Sequence, residues 1–247
     1  MDKQVIRKCE ILGVQIAALH MKAALNYIQK NLKSLNGQYI CISNVHTTIM
    51  SYEDKDYCRI QNEAALALPD GGPIAFLCKR RGFPDAERVT GPDLMGEIFK
   101  CSKKYGYKHY FYGSKPETLK ALEQKLKDQY QLNIAGMYAP PFREMTEEEE
   151  EEAVDRINRA QADFVWVALG APKQERWMYM HQGRVHGLMI GIGAGADYFA
   201  GNIKRAPMWM QKSSLEWLYR LFQEPKRLFK RYLVTNTKFL WLIARGK

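Results

Sequence analysis

The sequence predicts an α/β fold in which a mostly parallel sheet is flanked by helices. Short apolar runs rich in β-branched and aromatic residues alternate along the chain with amphipathic stretches of helical period. The predicted strands are Tyr39–Ser43, Ala65–Leu68, His109–Tyr112, Leu132–Met137, Phe164–Leu169 and Leu188–Ile192. The clearest predicted helices are Asp93–Tyr105 and Pro116–Gln129. A chain of 247 residues that is 46% hydrophobic suits one such domain, or one domain with an appendage.

Charge divides the chain into two parts. Residues 203–247 contain eleven Lys and Arg but only two acids, Glu216 and Glu224, whereas the other residues contain 26 bases and 25 acids. We therefore predict an α/β body over residues 1–202 and a basic C-terminal appendage over residues 203–247. So basic a segment indicates a polyanionic partner, which can be an anionic membrane, a diphosphate ligand or a nucleic acid.

The appendage divides at Pro225, and the stretch after it has two faces. Its apolar residues on one side of a helical wheel are Leu228, Phe229, Tyr232, Leu233, Phe239, Leu240 and Ile243. Its basic residues on the other side are Arg227, Lys230, Arg231, Lys238 and Arg245. This pattern is typical of a helix that lies in a membrane interface. It fits a terminal helix docked on the body equally well.

Composition disfavours several other classes of protein. No stretch approaches the roughly 18 consecutive apolar residues of a membrane-spanning helix. The first residues, Met1–Gln4, are polar and contain no apolar signal core, so we expect the protein to stay in the cytoplasm. The five cysteines form no C-x-x-C pair, which favours a reducing compartment over a disulfide framework or a zinc site. We expect neither a metal nor a cofactor.

Polar residues follow two early strands. Ligands of open α/β sheets bind beyond the carboxyl ends of the strands. Ser43, Asn44 and Thr47 follow the first predicted strand, where small polar groups can bind sugar hydroxyls or cap the next helix. Asp70 lies in a Pro-Asp-Gly-Gly turn after the next strand. The turn is a good structural element by itself, and it can also present Asp70 as a general base for a hydroxyl group.

Two glycine-containing loops follow later strands. In Gly170–Glu175, a turn that opens a helix offers backbone N–H groups to a phosphate, Lys173 adds positive charge, and Gln174 offers both a donor and an acceptor. Around Gly193, the run Gly191–Asp197 loosely matches a dinucleotide fingerprint, although little room remains for the helix and strand that this motif requires. We expect backbone near Gly193 to approach a nucleotide. An NAD-dependent Rossmann oxidoreductase stays an alternative.

Two acidic motifs have structural interpretations. Asp54-Lys55-Asp56 spells a D-x-D pattern that can hold a metal ion, but it follows polar residues and predicts an exposed helix start. The run Glu147–Glu152 follows Thr146, which we expect to cap a helix whose acidic first turn suits the helix dipole. The histidines show no metal-ligand spacing, and His46 is the one histidine near a candidate site.

The order and spacing of these motifs resemble those of the WecG/TagA/CpsF family of bacterial glycosyltransferases, glycosyltransferase family 26. The matching segments, which span nearly the whole chain, are Ser43-Asn44, Leu68–Gly71, Arg88–Leu94, Gly170–Glu175 and Gly191–Tyr232. The resemblance implies a Rossmann-like body with a basic, amphipathic, helical appendage that docks at the membrane. It also implies an inverting, metal-independent transfer of N-acetylmannosamine or a related hexose from a UDP-sugar to a polyprenyl-diphosphate-linked sugar, in teichoic acid or other surface polysaccharide synthesis.

The resemblance assigns roles residue by residue. Asp70 matches the family's base, and Ile42 occupies the place of a family threonine, for which Ser43 or Thr47 can substitute. The predicted substrate-binding residues are Ser43, Asn44, Thr47, Lys173, Gln174, Glu175, Gly193 and Arg205. The residues expected to reach the lipid diphosphate are Arg220, Arg227 and Arg231.

The implied partners are a UDP-sugar donor, a polyprenyl-diphosphate-linked sugar acceptor and the inner face of the cytoplasmic membrane, where the protein would be peripheral. A homo-oligomer stays open, because an apolar appendage buried in a partner would have the same pattern. The sequence pI of about 9.3 leaves a nucleic-acid-binding protein as a further alternative. The apolar face of the appendage favours lipid over nucleic acid.

Overall fold

The computed structural model describes residues 6–246 of the chain, so the prediction for Met1–Gln4 lies outside the described residues. The strands are β1 (Lys8–Ile11), β2 (Val14–Ala17), β3 (Tyr39–Ser43), β4 (Leu66–Pro69), β5 (Lys108–Gly113), β6 (Asn133–Tyr138), β7 (Phe164–Ala168) and β8 (Leu188–Gly191). The helices are α1 (Met21–Asn31), α2 (Val45–Glu53), α3 (Lys55–Glu63), α4 (Gly72–Arg80), α5 (Gly91–Tyr105), α6 (Pro116–Tyr130), α7 (Glu147–Ala160), α8 (Lys173–Met180), α9 (Gly195–Ala200), α10 (Met208–Lys212), α11 (Glu216–Gln223) and α12 (Pro225–Ala244).

A six-stranded sheet in the order β4-β3-β8-β7-β5-β6 forms the centre of the fold. The pairs β3–β8, β8–β7, β7–β5 and β5–β6 are all parallel. Helices flank this sheet, and the chain ends in the helices α10 to α12. The predicted α/β class, with a helical C-terminal appendage, is therefore confirmed, and all six predicted strands lie within about two residues of their expected bounds.

An antiparallel hairpin of β1 and β2 has no counterpart among the predicted strands. Leu12 and Gly13 form its two-residue turn with φ values of 50° and 88°. Positive φ at both positions is the requirement of a type I′ turn, whose usual sequence signal is Asn-Gly or Asp-Gly. Leucine at the first position hid the hairpin, because a β-branched or bulky side chain rarely adopts positive φ.

The described chain divides into two compact units. The first comprises residues 6–21, 42–90 and 204–246, and the second comprises residues 22–41 and 91–203. The first unit therefore contains the appendage together with the hairpin and the segment from the end of β3 to Thr90. The predicted boundary after residue 202 stays a prediction.

Aliphatic and aromatic packing stabilise the two units separately. In the first unit, Phe239 and Leu242 of α12 join a buried cluster with Ile11 of β1, Ile49 of α2 and Ile74 of α4. In the second, the central side chains are aromatic, and Phe99 packs edge-on against Trp166 with ring centroids 5.4 Å apart. Complete burial of one large apolar side chain contributes about 1.5–3 kcal/mol to the stability of the folded state.

The acidic run Glu147–Glu152 forms the first two turns of α7, as predicted. Thr146 accepts a hydrogen bond from the backbone N–H of Glu149, and the Glu149 carboxylate accepts one from the N–H of Thr146. This reciprocal arrangement is a capping box. Asp54 similarly caps α3 by accepting from the N–H of Tyr57 at 3.0 Å, so the D-x-D motif marks a helix start.

Helix α12 presents two different apolar faces. Leu228, Phe239 and Leu242 are buried in the first unit, whereas Phe229, Leu233, Val234, Leu240 and Trp241 are exposed. The predicted single apolar stripe is therefore divided between a docked face and an exposed face. Within the described residues, no helix is long and apolar enough to cross a membrane.

Candidate active site

In the first unit, Asp70 lies in a short loop after β4 that we call the base loop, residues 69–72. The backbone N–H of Asp70 donates to the carbonyl oxygen of Ser43 at 2.8 Å, and the N–H of Val89 donates to the carbonyl of Pro69 at 2.7 Å. Gly71 has φ of 86°, a conformation that favours glycine. Helix α4 begins at Gly72, the last residue of the base loop. The two hydrogen bonds join the Pro69–Asp70 peptide group to the end of β3 and to the segment that precedes Thr90.

Asn44 and Thr47 form the capping box of α2. The Asn44 Oδ1 accepts from the N–H of Thr47 at 3.1 Å, and the N–H of Asn44 donates to Thr47 Oγ1 at 2.9 Å. Thr47 is almost fully buried, whereas Asn44 is partly exposed. The capping interpretation of this motif is therefore confirmed. Contact of these residues with a sugar stays a prediction, and Asn44 has the accessible side chain of the two.

Ser43 begins a buried chain of polar side chains. Its hydroxyl donates to Gln61 Oε1 at 2.6 Å, and Gln61 Nε2 donates to the Tyr57 hydroxyl at 3.1 Å. Ser43 and Gln61 are at most 1% exposed. This chain anchors the end of β3 to α3, which stabilises the strand end that accepts the Asp70 N–H.

Arg205, one of the predicted substrate-binding residues, belongs to a cluster around Glu216. Arg205 Nε donates to Glu216 Oε1 at 2.7 Å, and Arg88 Nη2 donates to Glu216 Oε2. Gln211 joins both arginines: its carbonyl accepts from Arg88 Nη1 at 2.9 Å, and its Oε1 accepts from Arg205 Nη2 at 2.8 Å. The three charged side chains are 15–25% exposed, so solvent screens their attraction only partly.

The other acid of the appendage, Glu224, also pairs with two arginines. Its Oε2 lies 3.2 Å from Arg220 Nη2 and 2.7 Å from Arg227 Nη2. Arg220 is largely buried, whereas Arg227 is more than half exposed. Two of the predicted diphosphate-binding residues are thus brought together at one carboxylate.

The third predicted diphosphate-binding residue, Arg231, lies on α12 near His46 of α2. Burial first, and the Arg231 charge second, lower the pKa of His46 to about 4, so its imidazole is neutral near pH 7. The Nδ1 of His46 and the Nε of Arg231 are buried, and neither has a hydrogen-bond partner among the described residues. The Arg231 guanidinium also lies 5.3 Å from the centroid of the Tyr232 ring.

In the second unit, Gln174 links two loops that each follow a strand. Its Oε1 accepts from the N–H of Gly170, after β7, at 3.2 Å and from the N–H of Gly193, after β8, at 3.0 Å. Its Nε2 donates to Glu175 Oε1 at 2.8 Å. The side chains of Gln174 and Glu175 are at most 4% exposed. The amide therefore holds the two glycine loops at a defined separation.

The remaining predicted residues of this unit are accessible. Lys173 is exposed at the first position of α8, and Gly193 has φ of 52° with open space where a Cβ would lie. Backbone at Gly193 can therefore approach a ligand closely. In the described chain no strand follows β8, so the βαβ unit that a dinucleotide fingerprint requires is incomplete.

A comparison with known protein families identifies the chain. The model of the Glycosyl transferase WecG/TagA/CpsF family matches residues 9–247. The chain belongs to this glycosyltransferase family. The match includes all but the first residues of the hairpin and of the first unit, so it covers every candidate residue above.

The sequence pattern of this glycosyltransferase did not predict Glu216, Gln211 or Gln61 as parts of the candidate site. Arg88 was predicted only as the first residue of the matching segment Arg88–Leu94. Glu216 had one available signal, since it is one of two acids in a strongly basic segment. Gln211 and Gln61 had no such signal, because uncharged polar residues at these positions fit any solvated helix. Each also has a partner far along the chain, since Ser43 lies 18 residues from Gln61 and Arg88 lies 123 residues from Gln211.

Proposed function

We propose that this glycosyltransferase transfers a hexose, N-acetylmannosamine or a close relative, from a UDP-sugar to a polyprenyl-diphosphate-linked sugar. In a single displacement, Asp70 takes the proton of the acceptor hydroxyl as the oxygen attacks the anomeric carbon. The bond to the diphosphate breaks, UDP leaves, and the anomeric configuration inverts. A positioned base of this kind contributes about 10²–10⁴-fold in rate.

The observation that carries this proposal is the base loop. Two backbone hydrogen bonds hold the Pro69–Asp70 peptide group, which supports a positioned carboxylate at the carboxyl end of β4 in a chain that belongs to a glycosyltransferase family. Open α/β sheets bind their ligands at such strand ends. Asn44 is partly exposed immediately after β3, which supports a role in holding the acceptor sugar near this loop.

We assign the neutralisation of the negative charge on the leaving UDP to basic side chains and backbone N–H groups. Lys173 is exposed beside the Gly170 loop, and the space at Gly193 supports close approach of a nucleotide. Preorganised donors and cations lower the energy of a departing diphosphate without reorganisation during the reaction. For the acceptor, Arg220, Arg227 and Arg231 are proposed to bind the lipid diphosphate, because guanidinium groups grip phosphate oxygens in pairs.

The appendage is proposed to associate with the inner face of the cytoplasmic membrane. Exposed Phe229, Leu233, Leu240 and Trp241 on α12 support insertion into the headgroup region, and the basic residues beside them support attraction to anionic lipids. The acceptor lipid lies in that surface. The product is proposed to enter teichoic acid or another surface polysaccharide.

The experiment that tests the transfer measures UDP release from several UDP-sugars, including UDP-N-acetylmannosamine, with a lipid-diphosphate acceptor analogue. We expect Asp70→Asn to lower turnover by about 10²–10⁴-fold while UDP affinity is unchanged, because the amide keeps the size of the side chain but accepts no proton. Asp85→Asn is the matched control, since Asp85 is an exposed acid of the same unit. Turnover of Asp70→Asn near that of Asp85→Asn removes Asp70 from the base role.

A further inference from the structure

Residues of the appendage contact the base loop's surroundings directly. We call residues 205–216 the docking segment. Its Gln211 and Glu216 bond Arg88, the residue before Val89, and the N–H of Val89 donates to the carbonyl of Pro69 in the base loop. Arg88 and Val89 therefore link the docking segment, through hydrogen bonds, to the backbone that precedes Asp70.

A second contact lies on the other side of Asp70. A Cβ built on Gly72 would lie 2.0 Å from the Oγ and 2.3 Å from the Cβ of Ser214. Atoms this close must move apart, so the absence of a side chain at Gly72 is what lets Ser214 reach the base loop. Ser214 itself has φ of 59°, a strained conformation for a residue with a side chain. The turn between α10 and α11 thus packs directly on the start of α4.

From these two contacts we infer that the docking segment sets the position of Asp70, with Ser214 and Glu216 as positioning residues. Ser214 supports the base loop after Asp70, at Gly72, and Glu216 supports it before Asp70, through Arg88 and Val89. The inference rests on the proposed function, in which Asp70 is the base. Its consequence is that Asp70 keeps its position only while the docking segment stays in contact with the base loop.

A steric swap tests this inference on the full-length protein. Gly72 does not have positive φ, so its backbone accepts alanine. The new methyl group would clash only with the Oγ and Cβ atoms of Ser214. We expect Gly72→Ala to lower kcat by about 10²-fold with little change in the donor KM, because misplacement of a reacting group by about 1 Å costs that much. Ser214→Gly removes both clashing atoms and relieves the positive φ, so Gly72→Ala/Ser214→Gly is expected to recover kcat to within about threefold.

The controls separate positioning from folding. Ser213→Gly, at the exposed neighbouring position, is expected to give no rescue of Gly72→Ala. Gly96→Ala in α5 is expected to keep wild-type kcat, since its Cβ would make an ordinary 3.7 Å contact with Phe199. Thermal unfolding of every variant shows whether it is folded. Wild-type kcat in Gly72→Ala, or a folded double variant without recovery, overturns the inference.

Hydrogen exchange tests the positioning of the base loop without relying on the proposed reaction. Exchange of the backbone amides at residues 70–72 is expected to be faster in Gly72→Ala and to return to the wild-type rate in the double variant. If the wild-type protein releases no UDP but this pattern holds, the proposed function fails and the positioning of the loop stands. If the wild-type protein is active and neither kcat nor exchange responds, the positioning fails alone.

Glu216→Gln provides a second variant that leaves Gly72 unaltered. The amide keeps the size of the side chain but loses the charge that holds Arg88 and Arg205. We expect faster amide exchange at residues 70–72 and a kcat lower by about tenfold, with a donor KM close to that of the wild type. Glu224→Gln, which loses the same charge at the other arginine pair, is expected to leave that exchange unchanged. Equal exchange in Glu216→Gln and the wild type contradicts the role of Glu216.

Discussion

At the scale of single residues, the second unit shows how a side chain that looks like a ligand can instead shape the site. Gln174 has an amide that suits a nucleotide or sugar, yet its Oε1 accepts two backbone N–H groups and its Nε2 donates to Glu175. The carboxylate of Glu175 fixes the orientation of that amide, because a carboxylate accepts only from the NH₂ side. Direct contact of Gln174 with substrate stays a prediction.

An exchange of these two residues tests their coupling. Gln174→Glu puts two carboxylates side by side in a buried place and is expected to lower the free energy of unfolding by about 3 kcal/mol. The double variant Gln174→Glu/Glu175→Gln restores one amide donor facing one carboxylate and is expected to recover at least half of that loss. Urea unfolding measures the stability, and amide exchange at Gly170 and Gly193 reports the loops. Additive losses in the double variant contradict the coupling.

At the scale of elements, α12 is an amphipathic helix with two apolar faces that serve different purposes. Leu242 is 1% exposed in the core of the first unit, whereas Leu240 is 67% exposed. The docked-helix and membrane-helix interpretations therefore apply to different faces of one helix. The docked face is shown by the structure, and the membrane role of the exposed face is proposed.

These two leucines form a matched pair. Leu242→Ala is expected to lower the free energy of unfolding by about 2–5 kcal/mol, because it leaves a cavity among packed side chains. Leu240→Ala is expected to change stability by less than about 0.5 kcal/mol but to weaken binding to anionic phospholipid vesicles several-fold, since it removes apolar surface that would enter the lipid. Urea unfolding and vesicle co-sedimentation separate the two effects. Vesicle binding that is equal for Leu240→Ala and the wild type counts against the exposed face as the membrane contact.

At the scale of the whole molecule, stability is expected to depend on pH through a buried histidine. Trp166 Nε1 donates to His109 Nδ1 at 3.0 Å, and Ser102 Oγ lies 2.9 Å from His109 Nε2. Burial lowers the pKa of His109 to about 3, well below its ordinary 6.5. The unfolded chain therefore binds this proton first as the pH falls. The stabilisation is complete above pH 6.5 and is lost progressively between about pH 6.5 and 3.

The measurement is urea unfolding between pH 7.5 and 4. For each histidine that the fold keeps neutral, the free energy of unfolding falls by up to about 1.4 kcal/mol for each unit by which the pH is lowered in this range. We expect His109→Phe to be less stable at pH 7, because it loses two hydrogen bonds, but to have a shallower pH dependence. His186→Gln, at an exposed position, serves as the control with an unchanged slope. A His109→Phe slope equal to that of the wild type contradicts the assignment.

The sequence by itself determined the features that depend on nearby residues. Strand positions follow from apolar runs, Thr146 and Asn44 cap helices whose N–H groups lie three residues ahead, and Asp70 follows its strand in a recognisable turn. The order of these motifs also predicted the family that the comparison confirmed. Such features survive in the sequence because each is decided within a few residues of chain.

Only the tertiary structure decided which groups meet across long separations. Arg88 and Glu216 are 128 residues apart, and no local pattern marks them as partners. The side of α12 that is buried depends on the shape of the core against which it packs, since both faces contain leucine and phenylalanine side chains. The contact of Ser214 with Gly72 depends on the absence of one carbon atom where two segments cross. Burial and close packing act between surfaces that exist only in the folded chain.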